Sequence, residues 1–319
     1  MLDSIPELRD IILSYNRIKT WTHKTPVMTS SLVNELAGCR VFFKCENFQK
    51  TGSFKFRGAS NVVLQLPENM SRNGVSTHSS GNHAQALALA ANLQGIKSFI
   101  VMPENAPDVK RNAVKAYGGN VISCKPGLSS REETLANVTR DTRAFFIHPY
   151  NNFDIISGQA TSAYEFLCEN PSLDSIIAPV GGGGLLSGTC LAAHYLNPRI
   201  KVYGAEPAGA PDAFKSLQAG KIIPSEHPNT LADGLLTSLG EKTFPVLRDH
   251  LERIILVSDE DIISAMQIIW ERMKIIVEPS GAVSFAAMLH ERKAFKGSNT
   301  GIIISGGNVN ISQLPFQTQ

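Results

Sequence analysis

Charge is what this chain has least of. Of its 319 residues only 18% are Asp, Glu, Lys or Arg, against about 25% in ordinary soluble domains. Basic and acidic side chains nearly balance, at a formal net charge of +2, which excludes the electrostatic footprint of a nucleic-acid or anionic-membrane binder. Paired cysteines are missing as well. Cys39, Cys45, Cys124, Cys168 and Cys190 form no C-x-x-C pair, which excludes a zinc ribbon and a disulfide framework and leaves reduced core thiols. The first ten residues carry Asp3, Glu7, Arg9 and Asp10 where a signal peptide needs an apolar core, so a cytoplasmic protein is expected. The longest uncharged run, residues 175–198, is interrupted by Pro179 and by Gly181 to Gly184, which argues against a membrane span. Three catalytic signatures are absent too: Gly220-Lys221 is followed by Ile222 and makes no P-loop, and neither G-x-S-x-G nor H-E-x-x-H occurs. The hydrolases and nucleotide-cleaving enzymes built on those motifs are excluded.

What is present is 43% hydrophobic, enough for one large core or two smaller ones, with surface to spare for a homo-oligomer interface. Short β-rich runs alternate with helical patterns: 75–77, 99–102, 121–123, 145–147, 176–180, 202–205, 254–257 and 302–304. This rhythm predicts an α/β fold with parallel sheets. Between the runs, Ala84, Leu87, Ala88 and Ala91 keep helical spacing, as do Ala282, Phe285, Ala286 and Leu289. A helix through Ile262, Met266, Ile269, Trp270 and Met273 opens with a capping-box-like Ser258 and Asp261. The loop-rich stretch 208–241 has little periodicity and is expected to cover a surface or approach the site.

Three small-residue turns follow strands. They are Ser79-Ser80-Gly81-Asn82-His83, the tetraglycine Gly181 to Gly184, and Ser305-Gly306-Gly307-Asn308. Turns of this kind offer free backbone N–H groups and a positive helix end to an anion. On one parallel scaffold they would share a crevice at the strand C-termini. The tetraglycine does not complete G-x-G-x-x-G, because the sixth position is Leu186 or Ser187 in the two registers. Glu206 could nevertheless stand in for a ribose-binding acid, so a nicotinamide-dependent dehydrogenase remains the rival enzyme. Lys55 lies between Phe54 and Phe56, where partial desolvation would favour the free amine that forms a Schiff base.

Ser53-Phe54-Lys55 with Arg57-Gly58, Ser79 to His83, the tetraglycine and Ser305 to Asn308 resemble the motif set of fold type II pyridoxal-phosphate enzymes, the serine/threonine dehydratase family. Order and spacing match from near residue 10 to residue 314. Within that family Ala205-Glu206-Pro207, Ala232-Asp233-Gly234, the run Trp270 to Lys274 and Glu278-Pro279 are most similar to the serine racemase branch, whose members also eliminate water.

The resemblance implies two open, twisted, mostly parallel sheets flanked by helices, like the tryptophan synthase β chain. It implies a large cofactor domain of residues 1–73 and 151–319 and a small mobile domain of residues 74–150. Lys55 would bind pyridoxal 5′-phosphate covalently beside Phe54, and Asn82 would hydrogen-bond the ring 3′-oxygen. Gly181, Gly182, Gly183, Gly184 and Leu185 would hold the phosphate, and Ser305 the pyridine nitrogen. Ser79, Ser80, Asn82 and His83 would receive the substrate carboxylate, with Ser80 as the second catalytic acid/base. Glu206, the Ala210 carbonyl and Asp212 match a Mg²⁺ or Ca²⁺ site. Lys50, Thr51, Gln85 and Tyr117 are compatible with ATP as an effector at a homodimer interface. The implied activity is racemisation of serine with dehydration of L-serine and L-threonine to a 2-oxo acid and ammonia. The alternative is a dedicated dehydratase of L-serine, L-threonine or threo-3-hydroxyaspartate; His148-Pro149-Tyr150-Asn151 resembles the dehydratases.

Overall fold

The computed structural model describes residues 1–311 and 314–316; residues 312, 313 and 317–319 lie outside the description. Ten strands form two sheets: β1 (Val27–Met28), β2 (Arg40–Cys45), β3 (Val75–His78), β4 (Ser98–Pro103), β5 (Asn120–Cys124), β6 (Phe145–Phe146), β7 (Ser175–Pro179), β8 (Lys201–Pro207), β9 (Arg253–Val257) and β10 (Asn299–Ile304). The six-stranded sheet has the order β1-β2-β10-β7-β8-β9 and the four-stranded sheet the order β5-β4-β3-β6. Every pairing is parallel except β1 with β2. The inner strands β7 and β10 read as apolar runs because helices cover both faces, and each is buried along nearly all its length.

All eight sequence-predicted runs become strands, while β1 and β2 were not foreseen. Arg40 and Lys44 break the apolar pattern of β2, yet Lys44 is fully buried because its Nζ donates to Glu165 Oε2 at 2.8 Å and to the Thr25 carbonyl at 2.9 Å. The three turns do not share one sheet, in keeping with the two sheets that the resemblance implied. The serine turn follows β3 of the four-stranded sheet, whereas the tetraglycine and the Ser305 turn follow β7 and β10, neighbours in the six-stranded sheet. The crevice therefore lies between two sheets. The helix opened by Ser258 has the expected reciprocal capping box but stops being α-helical at Ile268. One π-helical turn, Ile269–Met273, follows, and Trp270 Nε1 donates to the Val277 carbonyl at 3.1 Å.

Close helix crossings set the site's dimensions. Helix Phe153–Glu169 is buried along most of its length between helix Lys55–Val63 and helix Gly184–Leu196. A Cβ on Gly158 would fall 2.7 Å from the Gly58 Cα, and one on Gly188 would fall 2.6 Å from the Ala160 nitrogen. Only hydrogen fits at either crossing, so the helix that begins with Lys55 and the helix that follows the tetraglycine are held against one support. Phe56, Ala59, Val62 and Val63 turn the other way, into the core around the four-stranded sheet. That core thus draws on residues outside the span 74–150.

Candidate active site

The Lys55 segment and the last strand are joined directly. Ser53 and Gly306 form an antiparallel bridge. The Phe54 N–H donates to the Ser305 carbonyl at 3.1 Å, and the Gly307 N–H to the Gly52 carbonyl at 2.9 Å. Asn308 Nδ2 adds a bond to the Thr51 carbonyl at 2.7 Å. Gly52 has φ +72°, and a Cβ there would meet Asn308 Oδ1 at 2.4 Å; both the backbone conformation and the space require glycine. This zipper places Lys55 and Ser305 on one cavity of about 750 Å³. Lys55 Nζ donates to the Pro149 carbonyl at 3.1 Å and lies 5.2 Å from the centre of the Phe54 ring. Burial lowers its pKa to about 8, the direction its aromatic neighbours suggested.

The same cavity receives the tetraglycine, Leu185 and the loop 79–83. Gly183, at φ +89°, is the N-cap of helix Gly184–Leu196, and no side chain caps that end. The first-turn N–H groups therefore face the cavity with no intrahelical acceptor. Tyr150 closes the other side: a Cβ on Gly182 would lie 2.4 Å from its ring, and one on Gly184 3.1 Å from its Cβ. This donor set fits a phosphate group. Ser305 Oγ, buried beside it, has only a long contact of 3.4 Å to the Ser280 carbonyl, which leaves it free to meet a ring nitrogen.

Asn82 opens helix Asn82–Asn92, and its side chain is held at both ends. Its Nδ2 donates to Glu278 Oε1 at 2.7 Å, and its Oδ1 accepts from Asn308 Nδ2 at 2.9 Å. The second Nδ2 hydrogen remains for a cofactor oxygen. Glu278 Oε2 also accepts the Asn308 N–H at 3.1 Å. Burial, then the charge of Asp233, pushes the Glu278 carboxyl up to about 8. His83, 2% exposed, is held well below the ordinary imidazole range by burial and then by Lys55 and His148, so its ring is neutral. Ser79 Oγ accepts the Gly81 N–H at 3.3 Å, while Ser80 lines the cavity.

Sequence reasoning missed what surrounds these groups. Arg57, fully buried, donates through Nε to Glu46 Oε2 at 2.7 Å, through Nη1 to Glu165 Oε1 at 2.9 Å, and through Nη2 to Glu46 Oε1 at 2.9 Å and Glu165 Oε2 at 2.8 Å. With Lys44 this makes a buried cluster of two cations and two anions. Burial alone would raise the Glu46 carboxyl, but Arg57, with Lys44 and Thr25, holds it below the usual carboxylate range. Arg57 was visible as a motif residue, but its acids were not: Glu46, eleven residues before it, carried no local signal, and Glu165 lies 108 residues away. Glu278 was visible only as the residue before Pro279.

The remaining expected groups lie elsewhere. Glu206 is the penultimate residue of β8, and its two oxygens accept the Ala213 and Phe214 N–H groups at 2.7 and 2.9 Å, so it caps helix Asp212–Ala219. Asp212, 4% exposed, and Ala210, 2% exposed, lie in the same region. Burial raises both carboxyls, Glu206 to about 8 and Asp212 to about 6; two buried acids and a carbonyl suit a hard divalent cation. Among the described residues no cluster of three His, Cys, Asp or Glu suited to a metal occurs. Lys50 and Thr51 sit in the turn Lys50–Gly52, which packs on the helix of Gln85, and Tyr117 ends the neighbouring helix Asp108–Ala116.

Comparison with known proteins agrees with this geometry. A serine racemase of Dictyostelium discoideum is 49% identical over 315 residues, covering 96% of each chain. A beta-hydroxyaspartate dehydratase of Paracoccus denitrificans is 46% identical over 312 residues, covering 98% of this chain and 99% of the other. The solved structure of maize serine racemase is similar at a TM-score of 0.95, with 46% identity over 97% of this chain and 95% of that one. The family described as pyridoxal-phosphate dependent enzyme matches residues 18–306. That span takes in both sheets and nearly every element lining the cavity: the chain belongs to the pyridoxal-phosphate-dependent enzymes.

Proposed function

We propose that the chain racemises serine and dehydrates L-serine and L-threonine to a 2-oxo acid and ammonia. The observation that carries this reading is one cavity shared by an enclosed lysine amine, a serine-rich helix N-terminus and an uncapped glycine cradle. Bound pyridoxal phosphate would take up the electrons released when the substrate Cα–H bond breaks. Lys55 takes that proton, because a pKa of about 8 leaves a useful fraction of free amine near neutrality. The N–H groups of Gly181 to Leu185 hold the phosphate. Ser79, Ser80, Asn82 and His83 fix the substrate carboxylate, with the N-terminal N–H groups of helix Asn82–Asn92 adding donors. Ser305 meets the ring nitrogen with a neutral hydroxyl, so that nitrogen is not held protonated and loss of the β-hydroxyl competes with return of the proton. Ser80 exchanges the proton on the face Lys55 does not reach.

A second reading, dehydration of 3-hydroxyaspartate, is favoured by the cations on the cavity wall. Lys110 is paired with Asp233, but Arg131 Nε is buried without a hydrogen-bond partner, and a second substrate carboxylate would supply one. The sequence similarity to the Paracoccus dehydratase supports it too.

The accompanying proposals are a Mg²⁺ or Ca²⁺ ion held by Glu206, the Ala210 carbonyl and Asp212, an ATP site around Lys50, Thr51, Gln85 and Tyr117, and a cytoplasmic homodimer. No helix among the described residues is long and apolar enough to cross a membrane. Chiral chromatography of products from L-serine, L-threonine and 3-hydroxyaspartate tests the reading. D-serine with pyruvate from L-serine is the expected result; a reaction confined to 3-hydroxyaspartate selects the second reading. Borohydride should bleach the yellow holoenzyme and fix cofactor mass on Lys55, and mass on another lysine would overturn the assignment.

A further inference from the structure

The polar groups of residues 148–152 converge on the active site from one tight turn. His148 Nδ1 accepts the Asn151 N–H at 2.9 Å and the Tyr150 N–H at 3.3 Å. An amide N–H only donates, so Nδ1 carries no hydrogen, and the ring is fixed as the neutral tautomer with its hydrogen on Nε2. Protonation would set a third N–H against those two and break the turn. The surroundings oppose that charge in the same sense: burial first, then His78, Lys55 and Lys242, push His148 down to about 4, and burial, Lys55, His148 and His78 lower His83 likewise.

The turn so held touches both the lysine and the glycine cradle. The Pro149 carbonyl accepts from Lys55 Nζ at 3.1 Å. The Tyr150 ring, edge-on to His148 with 4.6 Å between centres, covers Gly182. Asn151 Oδ1 accepts the Lys242 N–H at 2.8 Å, and Asn152 caps helix Phe153–Glu169. We infer that His148 is a positioning residue: its unprotonated Nδ1 pins the turn that aims the Pro149 carbonyl at the Lys55 amine. The inference rests on Lys55 being the base in the reaction proposed above. One amine hydrogen is committed to Pro149, so the nitrogen is held in place. A carbonyl acceptor favours the ammonium form, so losing it should shift the Lys55 pKa downward.

His148→Phe keeps the ring and its contact with Tyr150 but cannot accept. In the holoenzyme, kcat for L-serine elimination should fall roughly tenfold while KM moves by less than about twofold, and the acid limb of kcat should shift to lower pH. His148→Asn, whose side-chain oxygen can accept from the turn, should recover part of the rate. A merely loosened site would admit water and shift the limb upward, toward ordinary lysine. A limb that stays or moves upward overturns the inference. Wild-type holoenzyme gives a test that needs no variant to fold: ¹⁵N-histidine NMR should show His148 as the Nε2–H tautomer throughout, without titration between about pH 5 and 8. An Nδ1–H signal, or titration in that window, overturns it. Lys55→Arg keeps the two ideas apart, since surviving elimination in that variant refutes the base assignment whatever the tautomer of His148.

Discussion

Replacing Arg57 by methionine tests the buried charge cluster on the helix that begins with Lys55. Wild type balances Arg57 and Lys44 against Glu46 and Glu165, all essentially inaccessible to water. Methionine fills much of the volume but leaves two carboxylates facing one ammonium group. Breaking a buried, hydrogen-bonded pair in this way costs ~3–5 kcal/mol, a large share of the ~5–15 kcal/mol that holds a typical protein folded. The pH dependence gives a second signature. In wild type the Glu46 carboxyl is held below its ordinary value, so its contribution is present above the ordinary carboxylate range and is lost as pH falls through the folded value. In the variant burial dominates and the folded pKa rises, so stability is greatest in acid and declines as pH increases. Urea unfolding of the holoenzyme should therefore show a larger deficit at about pH 8 than at about pH 5. Adding Glu165→Gln should recover part of it. A deficit below about 1 kcal/mol, or equal deficits at both pH values, would refute the reasoning.

Three further outcomes are expected. Gly182→Ala places a methyl group 2.4 Å from the Tyr150 ring; overpacking of ~1–3 kcal/mol should weaken cofactor binding roughly 5- to 150-fold. Absorbance titration of the apoenzyme checks it, and unchanged affinity would show that the ring yields. Mg²⁺ or Ca²⁺ should raise the melting temperature, and Asp212→Ala should remove that response; identical curves with chelator and with saturating metal would rule the site out. Ser80→Ala should abolish L-to-D conversion and D-serine elimination while slower L-serine elimination survives, and an unchanged ratio of D- to L-serine turnover would remove Ser80 from the mechanism.

The sequence showed the site's parts better than their arrangement. Lys55, the tetraglycine, the serine loop and Ser305 were legible because each combines a local backbone requirement with a reactive or donor group. Their partners were not. Glu278 and the Pro149 carbonyl matter only because the fold brings them to Asn82 and Lys55, and no local pattern encodes that approach. The same holds for β2, whose Lys44 reads as surface charge until Glu165 and Thr25 supply its hydrogen bonds. Periodicity reported the strands but not which strands pair, so the division of the three turns between two sheets came from the family resemblance rather than from the residues alone.

The position of β10 governs how the molecule can be made. The last of the described strands lies near the middle of the larger sheet, paired on one side with β2 and on the other with β7. Until residues 299–304 leave the ribosome, two apolar edges wait for it, and such edges invite mispairing. The Ser53–Gly306 bridge cannot close before then either, so a nascent chain has its lysine early but no finished cofactor site. Ribosome-arrested chains ending before β10 should bind no pyridoxal phosphate in the native mode, because cofactor capture waits for that strand.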